Sequence, residues 1–546
     1  MASHTFKALL NAAVFPFAAR LAHQTVLVPG LDQNIRVPER FYGEISSADF
    51  GVPQLIYCEN VMPAGEGLIS TSFVDVLPAL PAAPAQFDQI LQLRDFDENI
   101  VYLVPAMGVN YIYKQGSTGW AASATPPAPV SAAVSRAYVN GRTFVCYAGL
   151  GVYEYNATTG VLDKKTLTGI TDAEVMYITQ SSNYLIAASR LQVAWSSLVD
   201  PLDFTPSTST GAGNNIPQDL KGPITAVWGV PGGFLIFTSR NCVAATYSTN
   251  VRAPFIFREV DNAGGVESYE QLTTETSSAK VYAWTTGGLQ SVNLRAAEPL
   301  FPEVSDFLAG KYWEQWNPLT KQIVGARSAG DFRVKLAHVS SRYLVISYGR
   351  PFEQFEFALI HDLALKRWGK VRLPHVDATF FTYLPSGADR SYQQALDANE
   401  DYTDYADTAY ADLIPRETLE STVKDSLVFM QADGRCVQLV MDYRDRESNA
   451  VMILGRYQMR RERAISLQTF QVDHVKSNWD LRVTAQATLD GAEDGVQIPG
   501  ALIEATSRTR TYGFDFAARN FTLILEGTFE AKDLTLNCTD AGKLRG

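Results

Sequence analysis

Six histidines and five cysteines are the side chains here best suited to metal or nucleophilic chemistry, and their spacing supports neither. His4, His23, His338, His361, His375 and His474 stand far apart, with no HExxH or HxxxH pair to grip zinc from one helix face. Cys58, Cys146, Cys242, Cys436 and Cys538 contain no CxxC pair, and four of the five lie beside apolar, strand-like residues. A thiol in that setting behaves as a small buried hydrophobe. Asp490-Gly-Ala-Glu-Asp494-Gly lacks the spacing and closing Glu of a calcium loop and reads as a hairpin turn. Asp200 and Asp203 make a carboxylate pair, but Asp200-Pro201 is a turn opener. There is no phosphate-binding GxxxxGK loop and no GxSxG nucleophile elbow. The expectation is a chain with no catalytic residue, no metal and no cofactor.

The elements that could position any site come next. At 546 residues the chain is too long for one ordinary core unless its architecture repeats. With 46% hydrophobic residues and 19% charged, it has ample core material and no signature of bulk disorder. Its 25 Tyr and 28 Phe favour strands. A net charge of -12 rules out a simple phosphate-backbone binder. No apolar run reaches membrane-spanning length. The stretch from Lys7 to Ala19 mimics a short secretory core, but Pro16 interrupts it, so residues 1–23 read as an uncleaved arm.

A hairpin recurs along the chain. Ile100 to Val104 turns into Val109 to Tyr113; Thr143 to Tyr147 turns into Val152 to Tyr155; Leu185 to Ala188 turns into Val193 to Trp195. Phe234 to Phe237 leads into Val243 to Ala245, and further copies start at Val281, Tyr343 and Leu427, making seven. Tyr102 and Phe144 stand 42 residues apart, as do Tyr111 and Tyr153. Short strands at that period predict four-stranded propeller blades stacked around an axis, with stacked β-sandwich modules as the alternative. The fold class expected is all-β: a propeller of five to seven blades over 86–445, with an additional sandwich-like domain from the chain ends. Trp195, Trp228, Trp284 and Trp368 are expected to be buried within or between blades. In His361 to Trp368 an Asp opens the turn and the Trp packs on a neighbouring blade. Sialidase-like propellers carry Ser-x-Asp-x-Gly-x-x-Trp turns, and none occurs here.

Outside the repeats, residues 24–85 are broken by Pro29, Pro38, Pro53 and Pro63 and read as extended chain, part of a platform. LPALPAAPA from Leu77 to Ala85 is a connector. Insertions fall at 295–335, with a short helix expected from Phe307 to Trp316, and at 386–425. The second carries Asp401, Asp404, Asp407 and Asp412 among Tyr402, Tyr405 and Tyr410. It reads either as a solvated loop or as a channel lining. Residues 446–546 alternate as a separate β domain, in which Arg456, Arg460, Arg461 and Arg463 form a polar strand face or a docking surface.

The central segment resembles the tail nozzle (tail hub) proteins of short-tailed bacteriophages. The likeness rests on Val193-Ala-Trp-Ser196 followed by Asp200-Pro-Leu-Asp-Phe204, the Gly211-Ala-Gly213 loop, Phe234 to Thr238 with Arg240-Asn241, and Phe257-Arg-Glu-Val260 with Gly264-Gly265. It covers roughly 135–295 and is looser elsewhere. It implies a structural virion protein assembled in the host cytoplasm as a homohexameric ring below the portal and adaptor. That ring contacts adaptor and fibre or spike proteins, and passes double-stranded DNA without binding it tightly or entering a membrane. The aspartates of the insert would line the channel and the four arginines would meet the adaptor. The competing class is a secreted or surface propeller binding glycan or protein, for which the sequons at Asn156 and Asn520 would be glycosylated.

Overall fold

A computed structural model describes residues 3–9, 26–27 and, apart from short breaks, 55–383 and 424–543, and the elements among the described residues are almost all antiparallel β-strands. Seven four-stranded arrays follow one plan; in six of them each strand is hydrogen-bonded to the next in the chain, and the seventh takes its fourth strand from upstream. Their first strands are Leu91–Arg94, Val134–Val139, Tyr177–Ser181, Ile224–Val230, Leu272–Thr274, Arg333–Val339 and Asp377–Tyr383, and they are numbered here as blades 1 to 7. Each hairpin read from the sequence is the second and third strand of a blade. These strands are covered on both faces, so Tyr184–Ala188, Gly233–Thr238 and Tyr343–Gly349 are buried from end to end. That is why they read as apolar runs rather than as alternation.

Each gap between blades has its own apolar cluster. Val101 and Leu103 meet Val145 and Tyr153 between blades 1 and 2, and Phe144 meets Leu185 between blades 2 and 3. Ile186 meets Phe234, Leu235 meets Val281, Leu289 meets Leu344, and Val345 meets Phe429 in the gaps that follow. Tyr102 and Val104 of blade 1 then pack on Val428 and Met430 of blade 7, which closes the circle. The fold is a seven-bladed β-propeller. Its first strands lie innermost, side by side: Ile178 N–H donates to Ser135 Oγ (2.8 Å) and Gly229 N–H to Thr179 Oγ1 (2.7 Å). A Cβ on Gly229 would stand 2.0 Å from the Gln180 carbonyl oxygen, so only glycine permits that approach.

Two boundaries expected from the sequence are corrected. The propeller does not begin at 86, because Ser72–Leu77, within the 24–85 segment, pairs with Cys436–Val440 as the outermost strand of blade 7. The ring is thus locked by a strand from far upstream, which satisfies a sheet edge that would otherwise stay open. Nor is 1–23 wholly an arm, since Ser3–Leu9 pairs along Asp533–Lys543. The helix in the first insertion is Pro302–Ala309, earlier than expected, with Pro at its first position, where the missing N–H costs nothing. Its Val304 and Leu308 plug the gap between blades 5 and 6. The second insertion joins the first and second strands of blade 7, and its residues 384–423 lie outside the described residues.

Both chain ends build a two-sheet sandwich. One sheet runs in the order Ser3–Leu9, Asp533–Lys543, Arg463–Asp473, Thr509–Ala518, Ala501–Ala505. The other orders Val26–Leu27, Val451–Gln458, Asn520–Gly527, Leu481–Thr488 and Val496–Pro499, with Leu55–Glu59 also on Val451–Gln458. Leu467, Phe470, Phe521 and Leu523 fill the space between the sheets. At Asn60 (φ 56°), a residue type that tolerates the left-handed region, the chain leaves the sandwich and enters the propeller. There Val61–Ala64, Gly67–Ser70 and Glu530–Ala531 extend the sheet of blade 6 to seven strands. Val61, Leu68 and Ala531 of these added strands pack into the core of the sandwich, which joins the two units.

Candidate functional site

Among the described residues four thiols and two imidazoles are placed as core groups. Cys58, Cys146, Cys242 and Cys436 are buried and free, and burial pushes the Cys58 and Cys436 thiols up to about 12. His375 Nδ1 lies 2.6 Å from the Leu373 carbonyl and Nε2 2.8 Å from Ser347 Oγ, the pattern of a neutral ring that donates once and accepts once. His361 packs, tilted, against both Phe301 (ring centroids 4.4 Å apart) and Trp368 (4.6 Å). Burial lowers both imidazoles to about 4. Among the described residues no three His, Cys, Asp or Glu side chains are grouped to hold a metal ion, and no helix is long and apolar enough to cross a membrane.

The tryptophans divide. Trp195 is buried between blades 3 and 4, donates its indole N–H to the Gly211 carbonyl at 2.9 Å and meets Phe255 edge-on. Trp368 is buried between blades 5 and 6 against Phe301, and Asp362 opens its hairpin by accepting the Ala364 and Leu365 N–H groups. Trp228 and Trp284, expected to be buried, are only half-buried. Trp228 lies on an innermost strand at the margin of the blade 4–5 gap, and Trp284 on the margin of the blade 5–6 gap. The arginine cluster is also corrected as a single strand face. Arg456 lies on Val451–Gln458 and Arg463 opens Arg463–Asp473, in opposite sheets of the sandwich, while Arg460 and Arg461 fall outside the described residues. Asp401, Asp404, Asp407 and Asp412 fall outside them as well.

Two features went unread in the sequence. The first is the propeller axis. The short turn Tyr269–Gln271 precedes blade 5 and sets Tyr269 against Tyr177 of blade 3 (ring centroids 6.2 Å, 13° between planes) and Trp228 of blade 4 (5.1 Å). Next in chain, Glu270 accepts both arms of the Arg333 guanidinium, at 3.2 and 2.9 Å. Lys335 pairs with buried Asp377 at 3.0 Å and donates to the Asp88 carbonyl, and Asp377 also takes the Ile90 N–H. Burial pushes the Asp377 carboxyl up, against the pull of Lys335. Arg136 projects from the middle of blade 2's first strand and is exposed to solvent. A lone charge inside VSRAYV was the signal available.

The second feature is an edge. Val496–Pro499 ends one sandwich sheet and Ala501–Ala505 ends the other, so a single stretch bent at Gly500 forms the same border of both. Ala501–Ala505 is exposed at every position, and Val496, Leu502 and Ile503 are 53%, 52% and 63% exposed. An unpaired strand edge carrying exposed apolar side chains is a template for association.

The class these features define is a seven-bladed β-propeller joined through blade 6 to a β-sandwich made by the chain ends. No family model matches the chain, and no curated protein matches it. Among solved structures it is similar to YCF48 bound to D1 peptide, at 10% identity and TM-score 0.36, covering 68% of this chain and 97% of that one. It is similar also to the WD40 β-propeller domain of Doa1, at 8% identity and TM-score 0.37, covering 68% of this chain and 98% of that one. Likeness at that level carries no functional argument, and the fold assignment stands on the strand order.

Proposed function

We propose that the chain is a tail nozzle subunit of a short-tailed bacteriophage. It is a structural protein whose copies close into a homohexameric ring that retains and conducts the genome below the portal and adaptor. The observation that carries this reading is the exposed apolar border Val496–Ala505, a surface suited to another copy of the chain. Head-to-tail contacts of that kind close by rotation into rings. The net charge of -12 suits a lumen that lets duplex DNA slide. In this reading the aspartates between 401 and 412 face the lumen, and the Arg456–Arg463 crossover meets the adaptor.

Multi-angle light scattering and negative-stain imaging of the full chain test it. Six-membered rings are expected, and Leu502→Lys with Ile503→Lys is expected to abolish them while leaving the thermal midpoint within a degree or two, roughly, because exposed sites contribute little to stability. A wild type that stays monomeric with and without adaptor, or a variant that assembles as well as wild type, sinks the proposal. The competing secreted reading would place glycans on Asn156, at the mouth of an exposed hairpin turn, and on Asn520. The Asn156 carboxamide is engaged, donating to Asp163 (3.0 Å) and accepting the Thr158 and Thr159 N–H groups. Asn520 opens a strand paired on both sides. Acceptor sites belong on surface loops.

A further inference from the structure

At the axis the cations differ in their partners. Arg333 is held by Glu270 and Lys335 by Asp377. The Arg136 side chain of blade 2 makes no hydrogen bond or ion pair among the described residues, and neither does the side chain of Arg94 at the end of blade 1's first strand. Both are exposed. The charged and phenolic groups that act on Arg136 come from three directions: Arg94 from blade 1, Asp377 from blade 7 and Tyr269 from the turn before blade 5. Only the axis is flanked by all three. Desolvation by the surrounding protein pulls the Arg136 guanidinium below its ordinary range, although solvent reaches it. Burial likewise pushes the Tyr269 phenol up to about 12, so it stays neutral. An exposed guanidinium ringed by protein lies inside an opening, not on an outer wall. On the strands and turn that follow around the axis, beginning with the neighbouring blade 3, stand the half-buried rings of Tyr177, Trp228 and Tyr269.

We propose that the propeller axis is a binding site for a small organic anion: a phosphate or carboxylate seated on Arg136 and Arg94, with a flat body against the Tyr177–Tyr269–Trp228 rings. A guanidinium offers a planar fork of donors that matches both anions. Aromatic faces supply apolar area at little conformational cost. The neighbouring ion pairs are already satisfied, so Arg333 and Lys335 hold the wall while the unpaired arginines are left for the ligand. In a chain of net charge -12, a local site that draws in an anion requires such a cluster. The site lies within one protomer and does not depend on ring assembly.

Calorimetric titration of the full-length chain with adenosine monophosphate, benzoate and inorganic phosphate tests it. One equivalent of adenosine monophosphate or benzoate is expected to bind, with inorganic phosphate weaker because it lacks the flat body. Binding of the first alone assigns a phosphate head and of benzoate alone a carboxylate. Arg136→Gln is expected to weaken binding at least about tenfold and Trp228→Leu several-fold, with Arg136→Lys between wild type and Arg136→Gln. Should Arg136→Gln fail to fold, Arg94→Gln carries the same test from the neighbouring blade. No binding of any of the three at about 10 mM overturns the site, as does equal affinity in a folded Arg136→Gln or Arg94→Gln chain.

Discussion

Acid should weaken this fold through its two inner histidines. His361 and His375 are held neutral, at about 4, whereas the unfolded chain presents an ordinary imidazole near 6.5. Between pH 6.5 and 4 the unfolded state takes up protons that the folded state refuses. Stability is therefore complete above about 6.5 and falls as the pH drops through that window, by on the order of 3 kcal/mol for His375 at its lower end. Urea midpoints at pH 7.5 and pH 5 are expected to differ less in His375→Gln than in wild type; an unchanged difference would refute the assignment. Trp195 makes a second residue-scale case. Trp195→Ala removes a ring packed on Phe255 and a hydrogen bond to Gly211, and an aromatic cavity of this sort costs about 3–5 kcal/mol. An unchanged melting temperature would show that the strand is not core. Trp195 was legible as core because Val193 and Ala194 lead into it on an apolar strand, and Trp368 because it follows a hairpin turn opened by Asp362. Trp228 looked like Trp195 in sequence, and only the stacking of the blades shows that it stands at the margin of the blade 4–5 gap.

At the scale of the element, legibility followed burial. Second and third strands such as Thr143–Tyr147 and Phe234–Phe237 are apolar on both sides and stood out at a steady spacing. First strands did not, because they carry the axial polar groups Arg136, Thr179, Lys335 and Asp377. Fourth strands such as Ala121–Ser123 are short and largely exposed and gave little signal either. Ser72–Leu77 was misassigned for another reason: nothing local reveals a partner at Cys436–Val440. That strand yields a sharp prediction. A chain starting after Leu77 loses the outer strand of blade 7, whose Cys436–Val440 then becomes an open edge. Its melting temperature is expected to fall by several degrees and its aggregation to rise, and a synthetic peptide spanning 70–79 is expected to restore part of the loss. A truncated chain as stable as one starting at residue 71 would show that the lock is dispensable.

At the scale of the molecule, propeller and sandwich act as one body because the strands added to blade 6 pack into the core of the sandwich. Lys370 of its outer strand is buried between the rings of Tyr57 (4.3 Å) and Phe357 (4.7 Å), one from each unit. Arg372 reaches Glu59 and Glu356 in the same way, and its N–H donates to Asn60 Oδ1. Gly369 keeps the contact close, since a Cβ there would meet Met62 Sδ at 2.3 Å. The sequence announced two β regions, but their fusion depends on pairings such as Lys370 with Val61, which no periodicity encodes. The lock on blade 7 also sets a clock for synthesis. Ser72–Leu77 leaves the ribosome long before Cys436–Val440, and about 360 codons separate them. At about 5–20 residues per second the early strand waits roughly 20 to 70 s, sticky and unmated, before the ring can shut. Blades 1 to 6 can stack as they emerge, but the nascent chain stays an open arc until its last quarter is made. A cell that makes this protein must shield one short strand for the better part of a minute.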